Sequence, residues 1–184
     1  MGPLQLTDET SLDLAAKIAK ATKAAMGNEY PDGDLDDLVF WMNDLGRYGR
    51  KAGKGFFDYD EKGKRLGYWQ GMTDKFPHAE DQPDIEDVKN RLMMAQALEA
   101  VRALEAGVLE DIREGDVGAI LGWGFAPWSG GPFSWLDILG AKEAVRIADD
   151  LAARHGERFM APQMLRDMAD QGRSFYGQGG KAAA

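Results

Sequence analysis

The chain has no cysteine and only two histidines, His78 and His155, in 184 residues. Disulfides, thiolate nucleophiles and zinc–cysteine sites are therefore excluded. A histidine base needs an orienting partner. His78 lies beside Pro77 among acidic residues, and His155 stands at a helix end before Gly156, where an imidazole meets open carbonyls. No HExxH spacing occurs, and the acidic groups at 29–37 and 80–87 lack the spacing of a calcium loop. No catalytic, cofactor-binding or metal-binding residue is expected in this chain. Positive charge is also scarce: 22 Lys and Arg face 31 Asp and Glu, a net charge of -9. That argues against nucleic acid as a partner. No apolar run is long enough to cross a bilayer, and the first residues lack a secretion pattern. A cytoplasmic location is expected.

What is present is helix. Hydrophobic residues make up 44% and charged residues 29%, as in a folded globular protein. Residues 11–26 are alanine-rich, with Leu14, Ile18 and Ala21 on one face and Ser11 as the expected N-cap. A turn around Pro31 and Gly33 leads to a helix at 35–45, capped by Asp34 and stopped by Gly46. Gly49, Gly53 and Gly55 then precede an extended piece, Phe56 to Tyr59, with Gly63 in a following turn. The stretch 60–83 carries Pro77 and Pro83 and is expected to be a linker packed by Tyr68, Trp69 and Phe76.

The longest helix is expected at 85–106. Asp84 caps it, Asp87 joins a capping box, and Val88, Leu92, Ala95, Leu98, Val101 and Leu104 form its face. Another follows at 112–121. Residues 122–132 read as a glycine and aromatic loop, with Trp123, Phe125, Trp128, Phe133 and Trp135 packed into a core. Helices at 141–154 and 162–171 complete the order, the last with Pro162 in its first turn. The tail 177–184 is expected to be disordered.

The order of elements recurs. Gly2-Pro3 with Asp8 matches Gly131-Pro132 with Asp137 at the same spacing, and each is followed by an alanine-rich helix. Downstream, Gly46-Arg47 matches Gly172-Arg173. Two alanine-rich helices alone would not exceed chance similarity. The matched Gly-Pro, Asp and Gly-Arg offsets favour duplication. Helices at 85–106 and 112–121 lead the second copy, while Met1 runs straight into the Gly-Pro of the first. The first copy is expected to be truncated, with an apolar face that leans on another surface.

Two groups of residues invite a functional reading. Arg50, Lys51 and Lys54 lie in a basic stretch that could meet a phosphate or an acidic surface, or simply balance an acidic protein. Gly49 to Gly55 fits neither GxGxxG nor GxxxxGK[ST], so a nucleotide loop has little support. Asp8 and Asp137 are expected to accept amide hydrogen bonds near the starts of the helices that follow them. With Gly53, Gly55 and Gly131 they are read as structural loop and capping residues.

The run Gly49-Arg50-Lys51-Ala52-Gly53-Lys54-Gly55-Phe56-Phe57-Asp58-Tyr59 resembles the GxKxGxGFYxY signature of the 3-hydroxyacyl-CoA dehydrogenase C-terminal domain, with Phe57 in place of the usual tyrosine. Gly2-Pro3 with Asp8, the helix at 90–107 and the segment 122–140 resemble further parts of that domain. The resemblance implies a mainly α fold of dehydrogenase C-terminal-domain-like helical repeats (6-phosphogluconate dehydrogenase C-terminal-domain-like), with the first copy truncated. It divides the chain into 1–59, the second half of a first C-terminal domain; 60–83, a packed linker; and 84–176, a second domain. It also implies a parent that oxidises (3S)-3-hydroxyacyl-CoA with NAD in fatty acid β-oxidation, with an NAD-binding domain and an enoyl-CoA hydratase domain outside this sequence. The family's histidine, glutamate and assisting asparagine fall outside the sequence too. Asn90 occupies the related place in the second copy, which the family uses structurally. The chain alone is then expected to be inactive and to bind no NAD. Arg50, Lys51 and Lys54 face either a CoA phosphate or a neighbouring domain, and the open face of the first copy could support a homodimer. The alternative is a freestanding helical interaction or acyl-CoA-binding module.

Overall fold

The computed structural model describes residues 2–30 and 33–177. They form two compact units, 1–82 and 83–184.

In the first unit, α1 (Pro3–Thr10) is a helix where the sequence suggested only a lead-in. Pro3 supplies its first position, where a missing N–H costs nothing. One residue, Ser11, separates it from α2 (Leu12–Met26). Ser11 has φ 83, a conformation that costs a non-glycine residue ~1–3 kcal/mol. It occupies the N-cap position, yet its hydroxyl does not cap α2. The hydroxyl bonds the Tyr48 carbonyl at 2.9 Å and the Asp13 carboxylate, and the same carbonyl accepts the Leu12 amide at 2.9 Å. These bonds from a distant loop hold the strained turn. Then comes α3 (Asp34–Asp44), with Gly33 rather than Asp34 at the N-cap position. Gly46 ends it at φ 65.

A hairpin follows: β1 (Phe57–Tyr59) pairs antiparallel with β2 (Arg65–Tyr68), Phe57 opposite Tyr68 and Asp58 opposite Gly67. Next is the short α4 (Gln70–Lys75). Leu12, Ala16, Val39, Met42, Phe56 and Met72 make the buried core. Trp69 stacks on Trp41 with centroids 5.5 Å apart, and Phe76 meets Trp41 edge-on at 6.1 Å. The Lys75 ammonium lies 4.6 Å over Trp41 and the Arg47 guanidinium 4.0 Å over Trp69. Much of 60–76 is thus folded onto this unit.

The second unit has no strand among its described residues. Its elements are α5 (Ile85–Glu105), α6 (Ile112–Trp123), α7 (Pro132–Leu139), α8 (Ala141–His155) and α9 (Gln163–Gln171). Asp84 and Asp111 cap α5 and α6, accepting the amides of Glu86 (3.2 Å) and Arg113 (2.8 Å). Asp87 takes no part in a capping box. It pairs with Arg154 at 2.6 Å and Arg91 at 3.1 Å, and His155 lies 3.5 Å away. His155 therefore faces a carboxylate rather than open carbonyls.

The buried face of α5 is Met94, Ala97, Leu98 and Val101, while Leu92 is exposed. The run Leu92-Met93-Met94-Ala95 is apolar on every side, so spacing alone could not orient it. A helix, α7, begins at Pro132, the last residue of the expected aromatic loop, where the sequence suggested none. Phe125, Phe133 and Trp135 are buried as expected, but Trp123 and Trp128 are exposed. The Trp123 indole N–H donates to Gln96 at 3.1 Å. Pro162 is the N-cap of α9 rather than its first residue. Residues 178–184 of the expected tail, and Pro31 of the expected turn, lie outside the described residues.

Candidate functional site

Each unit is organised around an aspartate that bonds a distant loop. Because α1 begins at Pro3, Asp8 sits in its second turn, where the helix's own amides are already engaged. Its carboxylate is 1% exposed and turns instead to the segment 48 residues on. It accepts the amides of Phe56 (2.8 Å) and Phe57 (3.0 Å) and the Tyr59 hydroxyl (2.8 Å). The expectation that Asp8 caps a helix start is corrected accordingly. Burial, and then the bond to Asp8, raise the Tyr59 phenol above the ordinary tyrosine range.

These bonds account for the glycines of the signature. A Cβ at Gly49, which has φ 113, would overlap the Asp8 carbonyl, and one at Gly55 would overlap its carboxylate. Gly53 turns the chain at φ 71. Arg47 closes the loop from the other side. It is buried, donates to the Gly55 carbonyl at 2.8 Å and to Asp58 at 2.6 Å, and lies against Trp69.

The second unit repeats the device on a shorter loop. Asp137 accepts the amides of Phe175 (2.8 Å) and Tyr176 (2.9 Å), so it too bonds a distant segment and not a helix start. A third aspartate, Asp116 of α6, does cap a helix start, that of α7. It is buried and accepts the Phe133 amide (2.8 Å), the Ser134 amide (3.1 Å), the Ser134 hydroxyl (2.6 Å) and the Tyr176 hydroxyl (2.9 Å). Gly131 leaves the space this needs: at φ 116, its Cβ would meet Asp116 at 2.5 Å. Burial, and then the bond to Asp116, push the Tyr176 phenol up to about 12. Sequence reasoning missed Asp116. Its signal is that neither Gly131 nor Pro132 offers a side-chain acceptor to the first amides of α7.

The three cations singled out in sequence do not converge. Arg50 pairs with Glu9 at 3.1 Å and Lys51 with Asp13 at 2.7 Å, while Lys54 is exposed. The bond from Lys51, helped by Ser11, holds the Asp13 carboxyl well below the ordinary carboxylate range. Two of the three charges are thus drawn onto α1 and α2. Among the described residues, no group of three His, Asp or Glu side chains is placed to hold a metal ion.

With this geometry in view, the family is defined. The model of the 3-hydroxyacyl-CoA dehydrogenase C-terminal domain matches residues 1–59 and 88–182, and the chain belongs to that family. Among curated proteins it is 38% identical over 176 residues to the fatty acid oxidation complex subunit alpha of Vibrio vulnificus. It is 36% identical over 176 residues to the subunit of the same name from Vibrio parahaemolyticus. Each alignment covers 96% of this chain and 24% of the relative, so the chain spans about a quarter of these relatives' length. Among solved structures it is similar to the dehydrogenase part of multifunctional enzyme 1 from C. elegans, with TM-score 0.60 and 26% identity over 91% of this chain and 38% of that one. The 3-hydroxybutyryl-CoA dehydrogenase of Escherichia coli K12 shares the fold, with TM-score 0.59 and 19% identity over 94% of this chain and 52% of that one.

A dinucleotide is held by a glycine turn between a parallel strand and a helix. The sheet described here is a two-stranded antiparallel hairpin, and the glycines at 49 and 55 close on Asp8. No described helix is long and apolar enough to cross a membrane.

Proposed function

We propose that this chain is the helical scaffold and substrate-cleft region of a longer (3S)-3-hydroxyacyl-CoA dehydrogenase of fatty acid β-oxidation. The longer enzyme passes hydride to NAD and yields 3-ketoacyl-CoA in the cytoplasm. Hydride transfer requires the cofactor and a base held against the substrate carbon. An NAD-binding domain, with an enoyl-CoA hydratase domain beside it, supplies those groups, and the present residues wall the acyl-CoA. The observation that carries this reading is the family match to both copies, each closed by its own aspartate.

The polar groups around Asp8, Asp137 and Asp116 support the scaffold role, because each is engaged in holding chain to chain. The domain division at 1–59, 60–83 and 84–176 is part of the proposal. So is homodimer formation by the 184-residue chain, favoured by the exposed Leu6, Leu14 and Ile18. The reading of a self-sufficient acyl-CoA-binding module is weaker, since Arg50 and Lys51 are already paired with carboxylates.

Calorimetric titration of a 3-hydroxyacyl-CoA into the chain alone and into the longer polypeptide tests the assignment. Saturable binding is expected only in the longer polypeptide. Tight binding by the chain alone would overturn the scaffold role.

A further inference from the structure

We propose that the second unit carries a docking site for a short acidic peptide segment of a partner protein, in the cavity beside the start of α8. The proposal does not depend on the dehydrogenase reading. It is carried by a difference between the two copies of the repeat.

In the first unit the turn from α1 to α2 is covered by the loop that follows α3. The Tyr48 carbonyl accepts the Leu12 amide and the Ser11 hydroxyl, each at 2.9 Å, and Lys51 reaches Asp13 at 2.7 Å. The occupant of that place is a run of chain. It offers an acceptor to the first amide of the helix and a cation to the second residue.

The turn from α7 to α8 has the same geometry. Ser11 has φ 83 and ψ 128, and its counterpart Gly140 has φ 82 and ψ 139. Leu12 corresponds to Ala141 and Asp13 to Lys142. Phe56 and Phe175 also correspond, each giving its amide to the repeat aspartate. The loop between is where the copies part. Residues 48–55 separate Arg47 from Phe56, whereas Ser174 alone separates Arg173 from Phe175. Beside the turn, where the first unit has its loop, the second has a cavity of about 390 Å³. Gly140, Ala141, Lys142, Gly172, Arg173 and Ser174 are among its walls. The Ala141 amide meets no acceptor among the described residues.

The charge at this place is reversed between the copies. The first unit sets a carboxylate on the helix and a cation on the covering loop. The second sets Lys142 on the helix, so the matching group on an occupant is a carboxylate. Lys142 is exposed and makes no ion pair among the described residues. Arg173 agrees. Its counterpart Arg47 is buried and engages the Gly55 carbonyl and Asp58. Arg173 is exposed and holds only the Gln171 side chain, at 3.0 Å, among the described residues. Glu143 borders the cavity too, but Arg146 engages its carboxylate at 2.6 Å. Two cations without a carboxylate, beside the positive end of a helix, select an acidic occupant over a neutral one. A peptide segment meets every demand of the site. Its carbonyl serves the Ala141 amide as Tyr48 serves Leu12, and its acidic side chains serve Lys142 and Arg173.

Titration of the blocked peptide acetyl-Gly-Asp-Glu-Gly-amide into the isotope-labelled 184-residue chain, followed by amide nuclear magnetic resonance, tests this. Saturable shifts are expected at Ala141 and Lys142. None is expected at Leu12 and Asp13, which the loop covers. The Asn-Gln form of the peptide should bind at least ~5-fold more weakly. Lys142→Asp, which installs the residue of the first unit, should weaken the acidic peptide ~10-fold, and Arg173→Gln ~3-fold. Both side chains are exposed, so both variants should keep the thermal midpoint of the parent chain. Equal binding of the neutral peptide, unchanged binding by both variants, or no shift at Ala141 overturns the proposal. Inorganic phosphate that moves Ala141 as strongly as the peptide at equal concentration overturns it in favour of a free oxyanion. Shifts that grow with protein concentration alone overturn it in favour of a second copy.

Discussion

Replacing Asp8 by asparagine keeps the side-chain shape and removes one acceptor. The native carboxylate takes two amides and a phenol, one donor on Oδ1 and two on Oδ2. Asparagine best preserves the pair by pointing its carbonyl at Phe57 and Tyr59. Its NH2 then faces the Phe56 amide, donor against donor, in a site that is 1% exposed. A hydrogen bond to a charged group contributes ~1.5–3 kcal/mol, and a buried donor left unmet costs ~1–3 kcal/mol. The two surviving bonds also weaken when the acceptor loses its charge. Asp8→Asn should therefore destabilise the first unit by roughly 3 kcal/mol. Urea unfolding gives the magnitude, and amide exchange gives the location. The first loss of protection should appear at Phe56 and Phe57. A change below about 1 kcal/mol, with Phe56 still protected, would refute the assignment of Asp8 as the residue that holds the signature loop.

Gly55→Ala places a methyl group against the Asp8 carboxylate and should destabilise the same loop by ~1–3 kcal/mol, read as a lower urea midpoint. Tyr176→Phe should cost only about 1 kcal/mol, because Asp116 keeps three other donors. The Tyr176 phenol is raised from 10.0 to about 12 by burial and Asp116, so folding favours its protonated form. Its contribution should be complete below pH 10, fall as pH rises through the 10-to-12 window, and vanish from that window in Tyr176→Phe; thermal unfolding across it checks the sign. The stacked Trp41 and Trp69 should give a coupled tryptophan circular dichroism band that Trp69→Phe removes without unfolding the hairpin.

Helix was legible where one turn of spacing met a recognisable stop. Asp84 and Gly46 marked boundaries correctly because capping and left-handed glycine geometry are local. The helix α1 was missed because its start depends on Pro3 and its end on Ser11 at a positive φ, which a loop 37 residues away helps to hold. Asp8 and Asp137 were recognised by their repeat spacing, but their partners were not. A carboxylate that bonds a segment 48 residues on has no local signature. Asp116 is the clearest omission, since its four donors become neighbours only once α6 packs against α7 and the segment after α9 returns beside it. The exposed Trp123 and Trp128 show the opposite error: aromatic character alone does not place a side chain inside. The basic run was visible as charge, while its pairing with Glu9 and Asp13 required α1 and α2 to be in place.

The central claim is that these residues hold and wall a dehydrogenase site whose hydride chemistry lies elsewhere in a longer polypeptide. NADH formation from a (3S)-3-hydroxyacyl-CoA, measured side by side for the purified 184-residue chain and the longer polypeptide, tests it most directly. The account predicts turnover by the longer polypeptide and none by the chain. Turnover by the chain alone, or none by a folded longer polypeptide, would contradict it.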